Sequence, residues 1–311
     1  MRVVFMGSPE FAVPSLRALC GRFDVVGVVT QPDRPAGRGR KVRESEVKRV
    51  ALEQAIPVVQ PARLSDPEAQ RRLDAWQPDV IVVAAFGQLV PGPILDRPAQ
   101  GCLNVHPSLL PRWRGASPIQ AAILHGDHKT GVTIMKLDAG LDTGPIIAQR
   151  RVALDPEITG GELSRQLAGV GASLLVEILP DYVAGSLKLV PQDDDRATYA
   201  PAIPKSAGEL DFTKPASELA RQIRAYEPRP GSFMTWNGRR LIVRRAHHHP
   251  GQHEVPGEVF VVDGHPAVTT LDGSLVLEVL QPAGKEPMDG SSFVRGAPRF
   301  IGSSLAVRHT A

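Results

Sequence analysis

CLNVHPSLLPRWRGASPI, residues 102–119, is the stretch around which the rest of the chain is parsed. Cys102, Leu103, Asn104 and Val105 form a strand-like run that leads straight into His106. Side chains alternate faces along a strand, so Asn104 and His106 are expected on one face and Val105 on the other. An amide and an imidazole then converge where the strand ends. Pro107 and Pro111 fix φ and stiffen the following loop, which carries Arg112, Arg114 and Gly115. Ser117 before Pro118 marks a helix start, with serine as cap and proline at the first helical position. Ligands of open α/β sheets bind beyond the carboxyl ends of strands, and the run ending at His106 is such an end.

Taken singly, a strand-end Asn is most often a turn residue, and a lone His is a satisfied surface or core group. Paired at i and i+2 before a stiff basic loop, they form a candidate site. AGLDTGPII at 139–147 adds an acid, Asp142, in a turn between Gly140 and Gly144. Asn104, His106 and Asp142 suit stabilising an oxyanion, moving a proton and orienting an imidazole, provided the fold brings Asp142 beside His106.

On the N-terminal side, Arg2–Phe5, the turn at 6–9 and the periodic run Phe11–Leu19 predict strand, turn and helix, the opening of a doubly wound sheet. The turn holds a single Gly and no GxGxxG, so a Rossmann oxidoreductase is disfavoured. Val25–Thr30 and Asp79–Ala85 are further strands, the latter an unbroken apolar run that predicts burial on both faces. Helices are expected over Glu44–Ala55 and over Leu64–Trp76 with Ser65 as cap, and a short strand over Pro57–Gln60. Gln31–Arg43 has two Pro, two Gly and five basic residues and predicts an exposed loop.

On the C-terminal side, Gly131–Leu137 and Ile146–Leu154 predict strands, and Gly161–Ala184 a long amphipathic helix carrying Leu163, Leu167, Leu174 and Leu179 on its apolar side. The β–α alternation to this point predicts a Rossmann-like α/β domain with a mostly parallel sheet over 1–185. Residues 186–204, polar with the triplet Asp193-Asp194-Asp195, are expected to be a linker. Beyond it, 205–311 holds one short helix, Ala216–Ala225, and then short β runs, which predict a small β-barrel. His247-His248-His249 is expected to be a polar surface loop rather than a metal site.

The 311 residues hold 42% hydrophobic and 5% aromatic side chains, which suits a folded α/β protein. Cys20 and Cys102 lie in apolar surroundings without metal-ligand spacing, so reduced core thiols and no metal are expected. The N-terminal apolar run is too short for a signal peptide and no run is long enough to span a membrane, so a cytoplasmic, soluble protein is expected. A net charge of +3 hides two basic clusters. Residues 31–49 hold seven Lys/Arg against three acids, and 221–245 seven Arg against one. Either alone suits a solvated face; together they point to an anionic partner.

NVHPSLLPRWRGASPIQ with GVTIMKLDAGLDTGPII resembles the folate-dependent formyltransferases, and MGSPEFAVPSL, VVTQPDRPAGRGRK and LQPAGKEPM extend the resemblance over nearly the whole chain. Pro107 departs from the family pattern, where Gly or Ala is frequent; it alters loop stiffness and leaves the three polar groups in place. The resemblance implies an OB-like form for the C-terminal barrel, which aids tRNA binding. It implies transfer of the formyl group of 10-formyltetrahydrofolate to the α-amino group of methionine on initiator methionyl-tRNA, giving N-formylmethionyl-tRNA for translation initiation. It implies that Asn104, His106 and Asp142 are catalytic and that Phe86, Gly87, Gln88, Leu89, Ser108, Leu109, Leu110 and Pro111 bind the folate. Arg34, Arg38, Arg40 and Lys41 would contact tRNA, and a monomer is expected. The competing readings are a formyltransferase acting on an amino sugar nucleotide, and a non-catalytic RNA-binding Rossmann/OB protein. The basic 31–49 loop disfavours the first, because a sugar nucleotide needs only a few positive contacts. The second predicts that the three polar groups are replaceable without loss.

Overall fold

A computed structural model describes residues 1–36, 41–251 and 255–305 of the chain. In chain order the elements of its first part are β1 (Arg2–Gly7), α1 (Val13–Cys20), β2 (Asp24–Val29), β3 (Arg34–Ala36), β4 (Lys41–Arg43), α2 (Glu46–Glu53), β5 (Val58–Val59), α3 (Pro67–Trp76) and β6 (Val80–Ala84). There follow α4 (Gly92–Leu95), β7 (Cys102–His106), β8 (Arg114–Gly115), α5 (Pro118–Leu124), β9 (Lys129–Lys136), β10 (Ile146–Ala153), α6 (Gly160–Val183) and β11 (Tyr199–Ala200). The chain divides into two compact units: Met1–Pro118 with Lys129–Ala153 and Ser164–Ala200, and Ile119–His128 with Leu154–Leu163 and Pro201–Ala311.

The first unit is built on a seven-stranded sheet in the order β10-β9-β7-β6-β1-β2-β5. Strands β5, β2, β1, β6 and β7 run parallel, while β9 and β10 are antiparallel to their neighbours. The order reverses direction between β1 and β6, the switch point at which such sheets open a crevice. Every residue of β6 is buried, as its unbroken apolar sequence requires, and each fully buried Val or Ile contributes about 1.5–3 kcal/mol. Helix α6 approaches the sheet closely because it carries Gly171. A Cβ there would lie 2.7 Å from Val105 Cγ1 and 3.3 Å from Val132 Cγ1.

Several details differ from the sequence reading. Within 31–43, expected as an exposed loop, Arg34–Ala36 and Lys41–Arg43 pair antiparallel as β3 and β4, on either side of residues outside the described part. Helix α3 starts later than the Ser65 cap implies. Asp66 is its N-cap residue, because Pro67 takes the first helical position. Residues 186–200, expected as a linker, belong to the first unit. Val190 bridges Ile146, and β11 pairs in parallel with β8. Gln192, Asp194 and Thr198 hydrogen-bond to the loops beneath, while Asp193 and Asp195 stay exposed.

The second unit contains α7 (Ala216–Tyr226), β12 (Ser232–Trp236), β13 (Arg239–His249), β14 (Val259–Val262), β15 (His265–Thr269), β16 (Ser274–Pro282), β17 (Met288–Asp289) and α8 (Gly290–Gly296). The strands form one six-stranded antiparallel sheet along the path β12-β13-β16-β15-β14, with β17 on β16. This is the smaller antiparallel β domain expected after the α/β sheet; among the described residues no pairing joins its end strands β12 and β14. Its core includes Phe212, Leu219, Val243, Leu277 and Leu280, capped by Trp236, Phe293 and Phe300 meeting edge to face. The excursions 119–128 and 154–163 join this unit through hydrogen bonds to backbone carbonyls. Gly161 N–H donates to Glu227 O at 2.8 Å, and Arg221 Nε to Leu124 O at 3.1 Å. His247–His249 lie within β13 rather than in a loop, and His247 faces Glu278 at 3.3 Å. Among the described residues no helix is long and apolar enough to cross a membrane.

Candidate active site

Strand β7 delivers Asn104 and His106 to one face at its carboxyl end, as the period-2 reading requires, while Val105 packs beneath α6. The β9–β10 connection brings Asp142 to them. Two features shape that loop. Asp138 Oδ1 accepts from Gly140 N–H at 3.0 Å and from Thr143 Oγ1 at 2.7 Å, and Asp142 itself takes φ +52°, a left-handed conformation that Asp tolerates better than most residues. Asp142 Oδ2 then lies 3.6 Å from His106 Nδ1 and accepts from Gly115 N–H at 2.8 Å. Asn104 Nδ2 reaches Asp142 Oδ1 at 3.4 Å, a long bond that leaves the amide available to a stronger acceptor.

His106 is buried, and its Nε2 lies 2.9 Å from the carbonyl of Trp113. A carbonyl only accepts, so Nε2 carries the proton and Nδ1 of the neutral ring presents a lone pair to the site. Burial pushes the imidazole pKa below its ordinary 6.5, outweighing the opposing pull of the Asp142 carboxylate and the Trp113 carbonyl. Desolvation outweighs the Asp142 carboxylate, so the ring is held toward its neutral form.

A cavity of about 880 Å³ opens beside these groups, above the ends of β6 and β7 and one strand beyond the switch point. Phe86, Gly87, Gln88 and Leu89 line it, together with Val90, Leu95 and the 137–142 loop. Leu89 is 83% exposed and Leu141 52%, so two large apolar side chains stand at its lining without cover. Gln88 is held by both ends of its amide, accepting from Leu64 N–H at 3.2 Å and donating to Pro61 O at 3.2 Å.

The other expected folate residues lie elsewhere. Ser108, Leu109, Leu110 and Pro111 do not line the cavity. Ser108 and Leu110 are buried, and Leu110 N–H donates to Thr133 Oγ1, which in turn donates to Ser108 O. The segment anchors the base of the site to β9. Of the expected tRNA contacts, Arg34 is exposed and donates to Gln31 Oε1 at 3.0 Å. Arg38, Arg40 and the side chain of Lys41 lie outside the described residues. In the second basic cluster, Arg221, Arg224, Arg244 and Arg245 pair with acceptors of their own unit, while Arg229, Arg239 and Arg240 are exposed.

Several residues at the site escaped sequence reasoning. Gln192 donates from Nε2 to Asp142 O at 2.8 Å and to Gly144 O at 2.7 Å. Thr198 Oγ1 accepts from Trp113 N–H at 2.9 Å, and Arg114 is buried against Gln192 and Asp194. Asp138 carried a signal, an Asp two residues before a Gly in a turn. Gln192 and Thr198 carried none, because no local pattern reports a partner so distant in sequence. Among the described residues no three His, Cys, Asp or Glu side chains converge to hold a metal ion.

Comparison with known proteins places this geometry. Residues 1–179 match the model of the formyl transferase family, and residues 202–298 that of the formyl transferase C-terminal domain. The chain is 49% identical over 304 residues to a methionyl-tRNA formyltransferase of Myxococcus xanthus, covering 97% of each chain. It is 46% identical over 300 residues to one of Chloroflexus aggregans, covering 95% of this chain and 97% of that one. Among solved structures, WlaRD, a sugar 3N-formyl transferase with dTDP and 5-N-formyl-THF, superposes with a TM-score of 0.67 at 19% identity over 92% of this chain and 99% of that one. An N-formyltransferase of Helicobacter canadensis, in complex with folinic acid and dTDP-3-aminofucose, gives 0.66 at 17% over 90% and 98%. At such identities the structures share the fold alone. The near-full-length identities decide the matter: this chain belongs to the formyl transferase family, alongside its methionyl-tRNA formyltransferases.

Proposed function

We propose that the protein transfers the formyl group of 10-formyltetrahydrofolate to the α-amino group of methionine on initiator methionyl-tRNA. The observation that carries the chemistry is the facing pair of acceptors, His106 Nδ1 and Asp142 Oδ2, 3.6 Å apart at the edge of an apolar cavity. The near-full-length identity to methionyl-tRNA formyltransferases supports the acceptor.

The cavity fits a folate. Its volume lies within the range of small-molecule sites, and the uncovered Leu89 and Leu141 are suited to lie against a flat ring system. When bound, the folate supplies the formyl carbon. An α-amine has a pKa of about 7.7–8.0, so part of it is neutral and nucleophilic near pH 7. As the amine nitrogen bonds to that carbon, its acidity rises, and Nδ1 of the neutral His106 is in place to take the proton. Asp142 stabilises the imidazolium so formed. Asn104 Nδ2 donates to the carbonyl oxygen where negative charge develops, an interaction worth about 2.7–4 kcal/mol in comparable sites. Return of the proton from Nδ1 to the departing nitrogen restores the resting ring and completes the balance. Arg34, Arg38, Arg40 and Lys41 are proposed to meet the phosphates of the tRNA.

The test supplies methionyl initiator tRNA and 10-formyltetrahydrofolate to the purified protein and measures formylmethionine. Product that depends on Asn104, His106 and Asp142 supports the reading. Formylation of an amino sugar nucleotide in place of the tRNA overturns the acceptor. Full activity in His106→Ala overturns the site.

A further inference from the structure

Arg114 is 1% exposed, yet it does not line the cavity. A buried guanidinium is costly unless fully hydrogen-bonded, so its partners should show what it is for. Its Nε donates to Gln192 Oε1 at 3.0 Å and its other arm to Asp194 at 2.7 Å, with Tyr199 adding a further hydrogen bond. A guanidinium has only donors, so it accepts nothing from Gln192 and fixes which end of that amide faces it. The amide nitrogen is thereby turned toward Asp142 O and Gly144 O, at 2.8 and 2.7 Å. Gly115, the residue after Arg114, holds the carboxylate of Asp142 through its own N–H. Backbone and side chain of Asp142 are thus referenced to the same two residues of β8 in a closed ring of hydrogen bonds.

We propose that Gln192, oriented by Arg114, is a positioning residue that sets the Asp142 carboxylate against His106. This rests on the reading of Asp142 as the group beside the reacting atoms. Gln192 touches no substrate; it acts through the loop. Asp142 sits in a left-handed conformation in a connecting loop, where two carbonyl bonds to one side chain remove the freedom to swing away.

Gln192→Glu tests this directly. It keeps the size of the side chain and an acceptor for Arg114, but replaces the amide donor with an oxygen facing two carbonyls. Formyl transfer to methionyl-tRNA should lose roughly 10- to 100-fold in kcat, with KM for both substrates within about twofold of wild type. The His106 imidazole, faced by Asp142, Asn104 and the Trp113 carbonyl, should titrate at lower pH in the variant by NMR, because the carboxylate that favours its charged form has moved. Gln192→Met removes the same donor without the repulsion and should shift both readouts in the same direction by less. It decides the matter if the Glu variant does not fold. Unchanged kcat in both variants, an unmoved His106 titration, or equal losses in kcat, KM and melting temperature overturns the proposal. Failure of the wild type to formylate methionyl-tRNA overturns the reaction instead, and the His106 titration still judges the positioning role. Full activity in Asp142→Asn overturns the reading of Asp142, whatever Gln192 does.

Discussion

His106 donates through Nε2 to the carbonyl of Trp113 at 2.9 Å, so the nitrogen that faces Asp142 is Nδ1. The side chain that does the proton work is therefore oriented by a backbone atom seven residues away, in a loop that residues 190–200 hold in place. Four predictions follow from this and from the packing beneath it.

Asp142→Asn keeps the shape of the side chain and removes the charge that stabilises the imidazolium. Single-turnover formyl transfer should slow by about 10²- to 10⁴-fold, with folate binding unchanged by fluorescence titration. A rate within threefold of wild type would sink the role given to Asp142.

The depressed pKa of His106 makes stability depend on pH. The unfolded ring titrates near 6.5 and the folded ring lower, because burial disfavours its charge. The folded state therefore binds fewer protons. The contribution of this group is fully present above about pH 6.5 and is lost as pH falls through and below that value, by at most about 1.4 kcal/mol per pH unit. Urea denaturation of wild type and His106→Asn between pH 5 and 8 should show this slope in the wild type only.

Gly171→Ala places a methyl group 2.7 Å from Val105 Cγ1. Overpacking of this kind costs about 1–3 kcal/mol, readable as a lower urea midpoint at constant slope. Because Val105 sits between Asn104 and His106 on the strand, kcat should fall too. A midpoint at or above that of wild type would show that α6 accommodates the methyl by sliding.

Burial pushes the Cys102 thiol up to about 12, and its Sγ donates to Ile94 O at 3.5 Å. At pH 8 only about one thiol in 10⁴ is then thiolate, so native protein should resist alkylation at Cys102. Mass spectrometry after iodoacetamide should show both Cys20 and Cys102 modified in denaturant, and Cys102 unmodified without it.

What the sequence discloses and what it hides divide along physical lines. β6 and β7 were legible because burial on both faces and period-2 alternation are properties of consecutive residues. Asn104 and His106 followed from the same alternation. Asp142 was visible as an acid between glycines, but its meeting with His106 depended on an antiparallel turn of the sheet at β9 that no local pattern announces. Ser108–Pro111, expected at the folate from the resemblance, lie outside the cavity lining: Ser108 and Leu110 turn inward, and their polar atoms bond to Arg112 and Thr133. The pairing of β3 with β4 was hidden by a composition that suits loops, and the His247–His249 strand by side chains that suit surfaces. In both, backbone pairing overrode the propensity of the side chains.

Val190, Gln192, Thr198 and Ala200 are each hydrogen-bonded to parts of the first unit that lie 44 or more residues earlier. The first unit therefore ends at Ala200 and not at the close of α6. A fragment cut at residue 185 would keep the sheet, α6 and all three polar groups named from the sequence. It would strip Arg114 of its acceptors and leave the carbonyls of Asp142 and Gly144 without their amide, unfastening the loop that carries the acid.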